Sequence, residues 1–211
     1  MPLWLFLREK GGGAVKNRLI TLPIKYFTAA IVLGCALWIV LNAAARLLAE
    51  KRGERLLTVW RIVNAVLAVC CAGLLLYLTV FSRRPLSSGN VFLQPFYILR
   101  KALTQQEYKR EKLLNLYAFI PFGVTLSGAL LDRRKEEGKR HLSPAAVVLF
   151  GFLLTFAIEL TQGITKLGTA ETDDVLTNTA GVFVGVLVWR ISELIGFAVK
   201  RTKRWNKSNS E

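Results

Sequence analysis

The chain has 211 residues, 53% of them apolar, with a mean hydropathy of +0.38 and a formal net charge of +15. Such hydropathy excludes an ordinary soluble domain carrying 29 Lys and Arg, and fits a membrane protein whose loops and ends hold the charge. Nucleic acid is excluded as the natural partner of those cations, because beside long apolar runs anionic lipid headgroups suit them better.

The N-terminal stretch "MPLWLFLREKGGGAVKNR" has a short apolar patch broken by charge and no cleavage-site pattern, so no removable signal peptide is expected. A spanning helix needs about 20 mostly apolar residues. Five stretches qualify, at about 26–48, 60–81, 113–131, 142–164 and 175–199, which makes the expected fold class all-α, a polytopic membrane helix bundle. Cys35, Cys70 and Cys71 all lie inside apolar runs and read as small hydrophobes rather than ligands or a disulfide framework. The longest connection, 82–112, is basic, and its Arg83, Arg84, Arg100, Lys101, Lys109, Arg110 and Lys112 are expected at headgroup level. Within it a weakly amphipathic piece around Phe96, Leu99 and Leu103 lies on the membrane surface or in a solvated loop. Thr104 and Glu107 have capping-box spacing, so the third helix is expected to start near Gln105. Pro121 and Gly123 predict a kink in it. Ser143 followed by Pro144 is a cap and first-turn pair for the fourth helix.

Next comes "AIELTQGITKLGTAETDDVLTNTAG", in which carboxylates and amides sit where one apolar helix ends and another begins. With five spans, the start of the third helix, the end of the fourth and the start of the fifth share one face of the membrane. Asn115, Glu159, Gln162, Asp173, Asp174 and Asn178 therefore belong to one leaflet. Glu159 and Gln162 are spaced i, i+3, and Asp174, Asn178, Gly181 and Gly185 follow i, i+4, i+7, i+11, so each set lies on one helix face. Gly181 and Gly185 form a small-xxx-small pair that allows close approach of a neighbouring helix. A carboxylate inside a span costs about 2.5–3.5 kcal/mol at mid-bilayer, so Glu159 needs a partner or a wet cavity. Its candidate partners are Gln162, Asn178, Asn115 and Lys166, and the arginine-rich connection between spans two and three is a further candidate to cap the site. Asp173 and Asp174 read either as site residues or as first-turn acids that complement the helix dipole.

The cations divide almost evenly between the two faces, but the compact basic clusters "AEKRGER" and "DRRKEEGKRH" and the tail "KRTKRWNKSNSE" place the C-terminus in the cytoplasm and the loop between spans four and five outside. The sole histidine, His141, falls in an opposite-face loop, which excludes a His-based triad at the acidic cluster. No metal and no cofactor are expected; a metal there would have to be Mg²⁺ or Ca²⁺ on hard oxygen ligands.

"NVFLQPF" at 90–96, "NLYAFIPFG" at 115–123, "IELTQ" at 158–162 and "GTAETDDVLTNTAG" at 168–181 resemble the VanZ family in sequence, order and placement relative to the helices. The resemblance covers about 76–190, leaving 1–75 as an N-terminal extension with the first span and the start of the second, and 191–211 as the end of the fifth helix and a basic cytoplasmic tail. It implies a multi-pass protein of the bacterial cell membrane and an association with low-level glycopeptide resistance, teicoplanin above all. It also implies a polar signature that falls here on Asn90, Pro95, Asn115, Pro121, Gly123, Glu159, Gln162, Asp174, Asn178 and Gly181. Many relatives carry an arginine in the loop before the acidic pair; this chain has none there, and Lys166 is the nearest cation. Two functional classes follow. The preferred one is a protein that binds or modulates an amphiphilic outer-leaflet molecule, such as a lipid-linked wall precursor or a lipoglycopeptide. Its ligand contacts would be Asn90, Asn115, Glu159, Gln162, Asp174 and Asn178, with Pro121, Gly123, Gly181 and Gly185 shaping the cavity. The alternative is a membrane-embedded enzyme with Glu159 and Asp174 as an acid and base pair.

Overall fold

Inside hydrocarbon a helix satisfies every backbone group within its own segment, so long apolar runs become helices. The computed structural model describes residues 24–53, 55–81, 91–92, 94–131, 142–167 and 169–208. In chain order these form α1 (Ile24–Arg52), α2 (Arg55–Leu76) with a π-helical turn (Tyr77–Phe81), β1 (Val91–Phe92), α3 (Tyr97–Thr104), α4 (Gln106–Leu130), α5 (Pro144–Thr165), β2 (Ala170–Glu171) and α6 (Thr172–Ser208). Among the described residues five helices are long and apolar enough to cross a membrane, corresponding to α1, α2, α4, α5 and α6. The fold is the expected all-α bundle, apart from a two-residue parallel ladder that pairs Val91 with Ala170 and Phe92 with Glu171.

Several boundaries differ from expectation. The fifth span starts at Thr172 rather than near 175, and Asp173 and Asp174 lie in its first turn, which is one of the two readings of these acids. The helix holding the third span starts at Gln106, but Thr104 does not cap it. Gln105 is the N-cap residue, without a side-chain cap bond, and the Thr104 hydroxyl donates to the Lys101 carbonyl that closes α3. Ser143 does cap α5, its hydroxyl accepting from the Ala146 N–H at 3.3 Å.

The α4–α6 pair is the spine of the bundle, with α5 on α6, α2 on α4, and α1 against both α4 and α6. Phe119, Val147, Ile158 and Val182 fill one core; Trp38, Ile120, Val124 and Trp189 fill a second. Apolar side chains such as Leu33, Val69, Leu153 and Phe197 point outward, the arrangement a lipid environment requires.

α1 is tied to the rest by buried polar bonds. The Asn42 amide donates to Ser192 Oγ at 2.7 Å and accepts from the Trp60 indole at 2.8 Å, while the Trp38 indole donates to Asn64 at 3.0 Å. Arg46 pairs with Glu193, so the carboxylate near the end of the fifth span meets a cation from the first. The described part of the extension, α1 and the start of α2, is thus packed into the bundle.

Thr169, between α5 and α6, tests the orientation. In a background with Cys35, Cys70 and Cys71 replaced, a cysteine at Thr169 is expected to label from outside intact cells and one at Ser208 only after permeabilisation. The opposite pattern reverses the orientation.

Candidate functional site

Lys112 lies nearly two turns inside α4, on the stripe that continues through Asn115, Phe119 and Gly123 at i+3, i+7 and i+11. It is buried, at 4% exposure. Its ammonium contacts Asp174 of α6, Glu171 of β2 at 2.8 Å and Glu111 at 3.7 Å. Asn115 donates to the same Asp174 oxygen at 2.8 Å. Lys112, read as one of the cations presented to lipid headgroups, is instead turned into the protein. A buried ammonium needs anionic partners to offset its lost hydration, and three carboxylates converge on it. Burial pushes the Glu171 carboxyl above the ordinary carboxylate range, Asp174 pushes it further, and Lys112 pulls it back.

Asp173, one residue before Asp174, points the other way. Its two oxygens accept from the backbone N–H groups of Phe96 at 2.5 Å and Leu99 at 3.0 Å. Phe96 is the left-handed N-cap residue of α3, with φ 66° and no side-chain cap bond, so a carboxylate from α6 satisfies the orphan donors of α3. The dipole reading of Asp173 was right in kind, but the helix that its side chain caps is α3.

Glu159 of α5 is buried, and its Oε2 accepts from the Glu171 N–H at 3.0 Å. The amides expected as its partners are directed elsewhere. Gln162 donates to the Thr79 carbonyl in the π-helical turn at 3.1 Å, and Asn178 donates to Thr155 Oγ1 at 2.8 Å. Lys166 is the exposed C-cap residue of α5. Asn90 lies outside the described residues. The bonded set is therefore Lys112, Asn115, Glu111, Glu159, Glu171 and Asp174. Lys112, Glu111 and Glu171 were missed as site residues; only the shared stripe of Lys112 with Asn115 signalled one of them.

Gly123, Gly181 and Gly185 bring α4 and α6 into backbone contact, so the close approach expected of Gly181 and Gly185 is made to α4. That approach sets Lys112 and Asn115 against Asp174.

Two clefts flank the cluster. One, of about 540 Å³, opens between α5 and the start of α6; Phe152, Phe156, Leu160, Ile164 and Leu176 wall it, with Glu159 and Glu171 in its lining. Its apolar walls are exposed, Ile164 to 72%, and belong to helices long and apolar enough to cross a membrane. The other, of about 300 Å³, lies under α3 and reaches Lys112. The oxygens of Glu111, Glu171 and Asp174 lie within 4.8 Å of one another, a spacing that could hold a hard cation. The Lys112 ammonium already supplies positive charge to all three.

A family model described as VanZ/LLP1 matches residues 65–193. Protein VanZ of Enterococcus faecium is 36% identical over 83 residues, which are 39% of this chain and 46% of that protein. The chain thus spans less than half the length of that relative. No solved structure matches.

Proposed function

From the premise that this chain belongs to the VanZ-like family of membrane proteins, we propose that it binds and modulates an amphiphilic molecule of the outer leaflet of a bacterial cell membrane. A lipid-linked wall precursor and a lipoglycopeptide are the two chemistries in view, and contribution to glycopeptide resistance is the physiological consequence. The observation that carries this reading is the groove between α5 and α6, apolar along its exposed walls and lined at one place by Glu159 and Glu171. An amphiphile needs that combination, since its chain gains by burial while its head needs polar partners. The name of the enterococcal relative points to the same context. Asp174 is already bonded to Lys112 and Asn115, which suits a fixed polar wall better than a free acid or base.

Glu159→Ala and Glu171→Ala, at the two carboxylates that line the groove, test the reading. Each should return teicoplanin sensitivity to that of cells lacking the protein while the variant stays folded and abundant. Their combination should be no worse than either, because both remove one shared function. Glu159→Gln keeps shape and hydrogen bonding and should retain part of the effect, whereas a proton-transfer role would be lost. Wild-type resistance in both well-expressed alanine variants rejects the groove as the functional site.

A further inference from the structure

Arg61 is a cation inside a span for which the bundle supplies no counter-charge among the described residues. It lies in the second turn of α2, a helix long and apolar enough to cross a membrane. It is half-buried, and its Nε is enclosed without a hydrogen-bond partner. Among the described residues no hydrogen bond or ion pair holds the guanidinium. Two other cations within spans are answered: Arg46 by Glu193, and Lys112 by its three acids. A charge within a span that the protein leaves unanswered marks a place where something else supplies the partner.

Bonds around Arg61 fix its level. The neighbouring Trp60 indole donates to Asn42, whose amide donates in turn to Ser192. Ser192 lies about 30 Å along α6 from Thr172, where that helix begins beside the acidic cluster. The hydrocarbon core is about 30 Å thick, so Trp60 and Arg61 stand where hydrocarbon gives way to headgroups on the opposite face. Lipid phosphates occupy that depth.

Arg61 also stands at the edge of the face that α2 packs on α4. Asn64, at i+3, is buried against Gly128 near the end of α4, while Ala65, at i+4, is exposed. A cation beside a helix C-terminus commonly bonds the last carbonyls; Arg61 bonds none of them. Ile62, Ala65 and Val69 recur at i, i+3 and i+7 and are all exposed. They form an apolar strip, low at its middle, that leads from the arginine toward the bilayer interior. The connections on this face, "AEKRGER" and "DRRKEEGKRH", hold more cations than acids, so anionic lipid is drawn to it.

We propose that Arg61 forms a binding site for an anionic phospholipid in the leaflet opposite the acidic cluster. The phosphate accepts from the guanidinium, whose planar fork suits it, and an acyl chain lies over Ala65. A zwitterionic head fits less well, because its own ammonium already neutralises the phosphate. The site is separate from the groove between α5 and α6 and does not depend on what that groove takes.

The test uses the purified full chain in phosphatidylcholine nanodiscs. Phosphatidylglycerol and phosphatidylcholine probes carry a photoreactive group high on one chain, and cross-links are mapped by mass spectrometry. Phosphatidylglycerol is expected to label residues 62–69 about tenfold more than phosphatidylcholine, the ratio for one charge-assisted hydrogen-bonded contact. Arg61→Gln should erase the preference. Arg61→Lys, which keeps the charge but not the fork, should retain part of it. Arg190→Gln, at an exposed arginine of α6, should leave it unchanged, and inorganic phosphate should not compete. Equal labelling by the two probes overturns the site, and so does a preference that survives Arg61→Gln. Displacement by inorganic phosphate overturns the lipid assignment in favour of a free anion. Where Arg61→Gln does not fold, the map on the unmodified chain decides: a phosphatidylglycerol preference that falls away from residues 62–69 overturns the site.

Discussion

Lys112→Met is expected to cost about 3–5 kcal/mol of stability, the range for removing one partner from a buried ion pair. Most exposed lysines can be removed for within about 0.5 kcal/mol, and Lys109, three residues earlier in α4, is exposed. The difference lies in what is left behind. Without the ammonium, Glu111, Glu171 and Asp174 keep their oxygens within 4.8 Å of one another. At that separation each pair of like charges repels by roughly 3 kcal/mol at an effective dielectric of 20, and Asn115 can offset little of it. Thermal unfolding in detergent reads the loss, with Lys109→Met as the control. The pH dependence has a definite sign. The Glu171 carboxyl is already raised above its ordinary 4.5 by burial and Asp174, and losing Lys112 raises it further. A carboxyl raised on folding favours the native state below its unfolded value and loses that contribution as pH rises through the folded one. The variant should therefore lie closest to wild type near pH 4.5 and fall behind toward neutrality. Adding Glu171→Gln and Asp174→Asn to Lys112→Met should recover most of the loss, because a neutral set has no uncompensated charge. A Lys112→Met protein that melts with the wild type would show that the cluster does not hold the bundle.

The error over Lys112 shows where sequence reading stops. Hydropathy located all five spans because burial from water depends on composition, and each side chain contributes independently. By the same logic a lysine beside a basic connection counts as loop, and nothing in that sum registers Glu171 and Asp174 some 60 positions later. Helical periodicity did hold the information, since Lys112 shares its stripe with Asn115. The partners of Glu159 and Asp173 were less accessible still. Both accept from backbone N–H groups, of Glu171, Phe96 and Leu99. Every residue but proline carries that donor, so no residue type announces it. The left-handed turn at Phe96 that exposes two of these donors has no glycine to mark it. The small-residue pair was legible, because Gly181 and Gly185 imply a close neighbour whatever that neighbour is. Spacing could not show that the neighbour is α4, or that Gly123 answers from the other side.

Those three glycines give the second large effect. A Cβ on Gly181 would sit 2.3 Å from the Leu116 carbonyl oxygen, and one on Gly185 would sit 2.5 Å from that of Ile120 and 2.6 Å from the Val124 nitrogen. From α4, a Cβ on Gly123 would sit 2.4 Å from the Val182 carbonyl oxygen. The obstructions are helix backbone, which cannot rotate aside as a side chain can, so the helices themselves must part. Intrinsic propensity alone would favour alanine over glycine by about 1 kcal/mol in a helix. Overpacking a rigid contact costs about 1–3 kcal/mol and at times more, so the steric term should win at all three positions. Gly34 and Gly73 supply the internal control, as a Cβ there meets nothing within 4 Å. Gly34→Ala and Gly73→Ala should be neutral or slightly stabilising. Gly181→Ala and Gly185→Ala should lower the melting temperature and weaken function together, because parting α4 from α6 withdraws Lys112 and Asn115 from Asp174. Gly123→Ala combined with Gly181→Ala should cost less than the sum of the two, since a seam opened by the first no longer resists the second. Melting curves for the five single variants and the double variant decide it: if Gly185→Ala proves as harmless as Gly34→Ala, the close seam is not what positions the cluster.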